Sequence, residues 1–173
     1  SDQIVEQRQV VRSALSETEL LKGQQSRFVV DLDRAHTAAV MAERLAALAP
    51  EQRYLDLLVV THIDGDHIEG VIRLLRDDAL GLDVRQIWFN GLRQMLAVPV
   101  APADIPYSVP QGEYLSALIK KRGIAWNVPF GGGPVMAGTR VDLPGGASAV
   151  LLSPTVNELG LLRKTWNAEL EKA

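Results

Sequence analysis

A continuous apolar run, Leu57-Leu58-Val59-Val60, breaks directly into Thr61-His62-Ile63-Asp64-Gly65-Asp66-His67-Ile68-Glu69-Gly70, and this junction constrains the fold more than any other stretch. A short apolar run without polar interruption calls for burial on both faces, the condition of a strand inside a covered parallel sheet. Such strands open at their C-terminal ends into loops that carry chemistry. Here the loop holds two of the three histidines and two aspartates within six residues, and Gly65 lets the backbone fold tightly enough for them to converge. A lone loop histidine is usually solvated or hydrogen-bonded, and an aspartate at a helix start is usually a cap. Two imidazoles and two carboxylates directly after a buried strand are instead the composition of a metal site, with His62, Asp64, Asp66 and His67 as candidate ligands.

The flanking sequence builds an α/β unit around that junction. Arg27–Leu32 has the β-branched and aromatic character of a short strand, with Asp31 at its end. Thr37–Leu48 places Val40, Met41, Leu45 and Leu48 at helical spacing before Ala49-Pro50 stops it. With the strand Asp56–Thr61 next, the two strands should be parallel. Ile68–Leu75 reads as a helix beginning immediately after His67, so its N-terminus points at the cluster. Val84–Phe89 is a further strand, and Asn90-Gly91 opens a loop.

Four prolines across 95–110 argue against a regular element there and for a long loop or lid. Gln111–Arg122 resumes a helix, with Gly123 as its stop. Trp126–Phe130 and Val135–Leu143 read as strands separated by Gly131-Gly132-Gly133, a turn or bulge in preference to a phosphate cradle because no Gly-Lys-Ser/Thr follows. After the strand Ala149–Ser153, Thr155 and Glu158 form a capping box for a helix that repeats Leu159, Leu162, Trp166 and Leu170. Upstream, residues 2–22 space Ile4, Val11, Leu15 and Leu21 as a thin amphipathic helix, which divides the chain into an extension over 1–26 and a domain over 27–173.

Composition narrows the function classes. The 173 residues suit one domain. Without cysteine, any metal must be held by nitrogen and oxygen. No apolar stretch approaches the roughly 20 residues of a membrane span, and no signal-peptide pattern opens the sequence, which together fit a cytoplasmic address. A net charge of -3 argues against a broad nucleic-acid footprint and suits a small-molecule or small anionic substrate.

At the His/Asp cluster the sequence resembles the metallo-β-lactamase superfamily, whose signature Thr-His-x-His/Asp-x-Asp-His-x-x-Gly is matched by Thr61 to Gly70. The aspartate at the second ligand position looks like the branch that includes the metallohydrolase domain of DNA-uptake competence proteins. Trp88-Phe89-Asn90-Gly91, Gln111-Gly112-Glu113, Phe130-Gly131-Gly132-Gly133 and Leu151-Leu152-Ser153-Pro154-Thr155 extend the likeness from about Arg27 to the C-terminus. The resemblance implies an αββα sandwich, here its first half, a mixed sheet with flanking helices. It also implies zinc as cofactor, two ions in a completed site, with manganese or iron as alternatives. His62 and Asp64 would bind one metal and Asp66 and His67 the second, while Asp31 would stand behind the ligands. A metal-activated water would attack an ester, amide or phosphodiester, with Asp66 as the catalytic residue orienting that water or accepting its proton.

Counterparts of the superfamily's third histidine, bridging aspartate and final histidine are missing. His36, Asp31 or Asp33 can complete one site, and Ser153 or Asn90 can align with a relative's ligand. Alternatively, a partner chain or further segment supplies the rest. A half-sandwich also predicts a homo-oligomer or partner over the bare sheet face. The competing classes are a catalytically degenerate interaction module and a small-molecule-binding protein.

Overall fold

The computed structural model describes residues 26–32, 35–96 and 109–170. The expected helix over 2–22 lies outside them, as do Asp33 and the central part of the proline-rich loop. The architecture is α/β, with parallel strands in the main sheet and an antiparallel ribbon beside it.

In chain order, β1 (Phe28–Val30) leads through α1 (Ala35–Ala46) to β2 (Tyr54–Leu55) and β3 (Leu57–Val60). Helix α2 (Gly65–Arg76) leads on to β4 (Asp83–Val84) and β5 (Gln86–Phe89). Then come α3 (Leu92–Met95), α4 (Val109–Arg122), β6 (Ala125–Trp126), β7 (Arg140–Asp142), β8 (Ser148–Val150) and α5 (Val156–Leu170). The main sheet runs β1-β3-β5-β6, parallel throughout. Strands β2 and β4 form a small parallel pair, and β7 and β8 form the antiparallel ribbon.

Period-two alternation explains how so short a sheet is covered twice. Val29, Leu58, Val60, Ile87 and Phe89 point to the helices and join Leu45, Ile68, Val71, Leu115 and Trp166 in the larger core. Phe28, Leu57, Val59 and Trp88 point the other way, onto Val135 and the β7–β8 ribbon through Val141 and Ala149. Trp88 meets Phe130 edge-on, with ring centroids 5.2 Å apart. The second face, expected to need a partner, is therefore covered by the chain itself, with Leu57 and Trp88 nearly inaccessible.

Local chemistry moves several expected boundaries. Helix α2 starts at Gly65, three residues earlier than expected, because the Asp64 carbonyl accepts from both His67 N and Ile68 N. The expected strand through Phe130 stops at Trp126, where Asn127 takes a left-handed conformation and a tight turn follows over Val128–Phe130. Gly131 and Gly132, both at positive φ, continue that turn as expected. Helices intrude on both ends of the proline-rich segment. Met95 ends α3, and Pro110 sits in the first turn of α4, where its missing N–H costs nothing.

Helix α4 ends as its glycine predicts: Gly123 N donates to Lys120 O and Ile124 N to Ile119 O, the paired bonds of a Schellman cap. The Thr155–Glu158 capping box is present at the start of α5. Among the described residues, no helix is long and apolar enough to cross a membrane.

Candidate metal centre

The parallel register brings the C-terminal ends of β1 and β3 side by side, with Val30 opposite Val59. Asp31 extends that ladder by donating its N–H to Val59 O at 2.9 Å, then turns into the left-handed region at φ 51°. Aspartate tolerates this conformation better than most residues because its short side chain bonds locally. The turn aims the carboxylate across at β3. Its Oδ1 accepts from Thr61 N at 2.8 Å and its Oδ2 from Thr61 Oγ1 at 2.5 Å.

Thr61 orders the next residue as well. Its Oγ1 lies 2.7 Å from His62 Nδ1. A hydroxyl has one proton and an ionised carboxylate has none, so Thr61 donates to Asp31 and accepts from His62 Nδ1–H. This relay fixes the tautomer and leaves the Nε2 lone pair of His62 available. Metal-binding histidines are held in the same way, through the second ring nitrogen.

His67 reaches the group from the first turn of α2. Its Nδ1 lies 3.7 Å from Asp31 Oδ2, and its ring centroid is 3.9 Å from that of His62. One donor atom each from Asp31, His62 and His67 all lie within 4.8 Å of one another. Two imidazoles and a carboxylate are the donor number and type of a catalytic zinc site, and donors around such an ion stand about 3.4 Å apart. Asp31 still has lone pairs to give, because its two bonds from Thr61 occupy half of the roughly four acceptor positions of a carboxylate.

The other sequence candidates are placed differently. Asp64 precedes α2 without capping it, and its Oδ2 lies 3.7 Å from His62 Nε2, at the rim of the group. The backbone of Asp66 belongs to the first turn of α2, while its side chain lies outside the described set. His36 is exposed on α1 and is not among the grouped donors. Asn90 acts as a clamp, its Nδ2 donating to Val135 O and its Oδ1 accepting from Val135 N, both at 2.8 Å. That pairing fastens the loop after β6 to the end of β5 and leaves Asn90 poorly suited to ligation.

A cleft of about 270 Å³ opens beside His62, between the ends of β3 and β5 and the start of α5. Its walls include Val60, Ile63, Phe89, Leu159 and Leu162. Ser153 and Glu158 add polar groups. Hydrogen bonds from the Thr155 backbone N–H and side chain, together with one from Ser153, hold the Glu158 carboxyl below the usual carboxylate range.

Sequence reading did not identify Thr61 as the connector or α5 as a wall of the cleft. Thr61 stood in the motif without a role, and Leu159 and Leu162 carried the same helical spacing as core residues. No protein-family model matches the chain, and comparison with curated proteins and with solved structures returns no match.

Proposed function

We propose that this chain is a metal-dependent hydrolase related to the metallo-β-lactamase superfamily, working with one metal ion held by Asp31, His62 and His67. The observation that carries the reading is the convergence of these three donors at the C-terminal ends of parallel strands, beside a cleft. The helix-covered sheet with an antiparallel ribbon on its other face is compatible with the first half of an αββα sandwich. Zinc suits the donor set, and when bound it would lower the pKa of a water towards neutrality and polarise the substrate's carbonyl or phosphoryl oxygen.

The residues of the chain supply position and charge. Thr61 holds Asp31 and His62 in their productive orientations. Asp64, beside His62, is a carboxylate placed to take the proton that a water would lose, the role that the family resemblance gives to Asp66. In ester hydrolysis the water oxygen bonds to the carbonyl carbon, the acyl carbon–oxygen bond breaks, and the leaving alcohol carries away a proton.

Metal titration of protein purified without chelator tests the reading. About one equivalent of zinc should bind, and His62→Ala and His67→Ala should each weaken binding by at least about 100-fold. Hydrolysis of an ester or phosphodiester probe should depend on that metal. Failure to bind either zinc or manganese at micromolar concentrations would overturn the proposal.

A further inference from the structure

We infer that the cleft beside His62 is an acyl pocket, so that the substrate is a neutral ester, lactone or amide with a short aliphatic or aromatic acyl group, and not a phosphodiester. The inference rests on the hydrolase reading and narrows it. His62 belongs both to the candidate metal-binding group and to the cleft wall, so a molecule seated in the cleft has its reacting bond next to that group.

Three features of the wall choose the ligand chemistry. The first is polarity: Val60, Ile63, Phe89 and Leu159 are buried and present hydrocarbon to the space. A hydrocarbon group that enters exchanges water for these side chains, and burial of each methylene is favourable. The second is charge. Among the described residues, no lysine or arginine lines the cleft, and the ionisable wall group besides His62 is the Glu158 carboxylate. Held below the usual carboxylate range, that group is negative at neutral pH and repels an anion. Phosphodiester sites carry the opposite arrangement, with arginine or lysine placed to meet the phosphate. The third is size. A volume of about 270 Å³ falls just below the range of about 300–1,000 Å³ typical of pockets for drug-sized ligands. A six-carbon acyl chain or a single ring suits it.

Matched p-nitrophenyl acetate and p-nitrophenyl hexanoate, bis(p-nitrophenyl) phosphate, and the zinc-loaded chain make the test. The expected result is a kcat/KM for hexanoate higher than for acetate by about tenfold or more, with the phosphodiester slower than both. Leu162→Trp should fill the cleft and bring the hexanoate-to-acetate ratio of kcat/KM down to about one. Leu161→Trp, at a lining position outside the packed core, repeats this test if Leu162→Trp does not fold.

Equal rates for the two esters would overturn the acyl pocket while leaving the hydrolase reading intact. Preference for the phosphodiester would overturn the substrate class alone. If no probe is turned over and no metal binds, the hydrolase reading fails, and the metal-free chain then decides the pocket through NMR titration with hexanamide and hexyl phosphate. Binding of hexanamide that Leu162→Trp removes, with weaker binding of hexyl phosphate, supports the pocket. Absence of hexanamide binding overturns it.

Discussion

Two aspartates next to the β1–β3 strand pair, at opposite ends of the sheet, show how burial of a carboxylate serves different purposes. Asp56 lies just before β3 at the N-terminal end, and Asp31 just after β1 at the C-terminal end. Both are poorly exposed, with side-chain accessibilities of 7% and 16%. Asp56 is neutralised by a cation: Arg85 Nη1 donates to Oδ1 at 2.6 Å and the Arg27 backbone N–H donates to Oδ2 at 2.8 Å. Tyr54 reinforces this end, with the guanidinium carbons of Arg85 and Arg27 at 4.0 and 4.6 Å from its ring centroid. Asp31 receives two hydrogen bonds from Thr61 and faces two imidazoles, which are themselves able to bind a cation. A carboxylate paired with arginine is tied into the fold, whereas one surrounded by neutral donors and imidazoles keeps the capacity to bind a positive ion.

The strongest way to break this comparison is an isosteric change at each aspartate. Asp31→Asn retains an oxygen for Thr61 N and a side chain that tolerates positive φ, so unfolding stability should change by less than about 1 kcal/mol. Its zinc affinity should fall by at least about 100-fold, as read by competition with a chromogenic chelator. Asp56→Asn should do the reverse. It loses a charge-assisted hydrogen bond and should lower stability by about 2 kcal/mol in urea titration, with zinc affinity unchanged. Equal effects of the two changes on zinc would show that the Asp31 end is not specialised.

A third position sharpens the comparison through the helix that forms one wall of the cleft. A Cβ at Gly112 would overlap Trp166 Cη2 and lie 2.7 Å from its Cζ2, and Trp166 is held in place by its Nε1–H donating to Glu113 Oε1 at 2.8 Å. Gly112→Ala gains about 1 kcal/mol of helix propensity but forces α4 and α5 apart, for a net destabilisation of about 1–2 kcal/mol. Because α5 carries Leu159 and Leu162, hexanoate selectivity should fall together with stability. The Asp56–Arg85 pair at the far end should be unaffected, as judged by an unchanged additional loss for Asp56→Asn in the double variant.

The legibility of these regions in the sequence differed for physical reasons. Buried strands announce themselves through uninterrupted apolar runs, which is why β3 and β5 could be read before their partners were known. The capping box, the Gly123 stop and the glycine turn after Phe130 are equally local, each set by a few residues and their own hydrogen bonds. His62 and His67 were legible for the same reason, being close in sequence. Asp31 was legible as the end of the first strand, but its hydrogen bonds to Thr61, 30 residues on, depend on strand register, which a single sequence does not reveal. Coverage of the second sheet face was missed because Val141 and Ala149 sit on a ribbon whose short alternation does not say which sheet it packs against.

The smallest expected effect concerns a third carboxylate, Glu158, exposed where Asp31 and Asp56 are not. Its Oε2 accepts from Thr155 N at 2.5 Å, and this bond to the charged form is the main cause of its lowered pKa. A carboxyl depressed in the folded state stabilises above its unfolded value, about 4.3 for glutamate, and that contribution disappears as pH falls through the lower folded value. The wild type should therefore lose part of its advantage over Glu158→Gln as pH falls from 5 towards 3, because the glutamine retains an acceptor for Thr155 but has no charge to lose. Solvent screening at an exposed helix start keeps the difference small. Urea midpoints for the two proteins across that pH range would measure it. A gap that stays constant with pH would mean that the charge of Glu158 contributes nothing to the cap, leaving repulsion of anions from the cleft as its remaining electrostatic role.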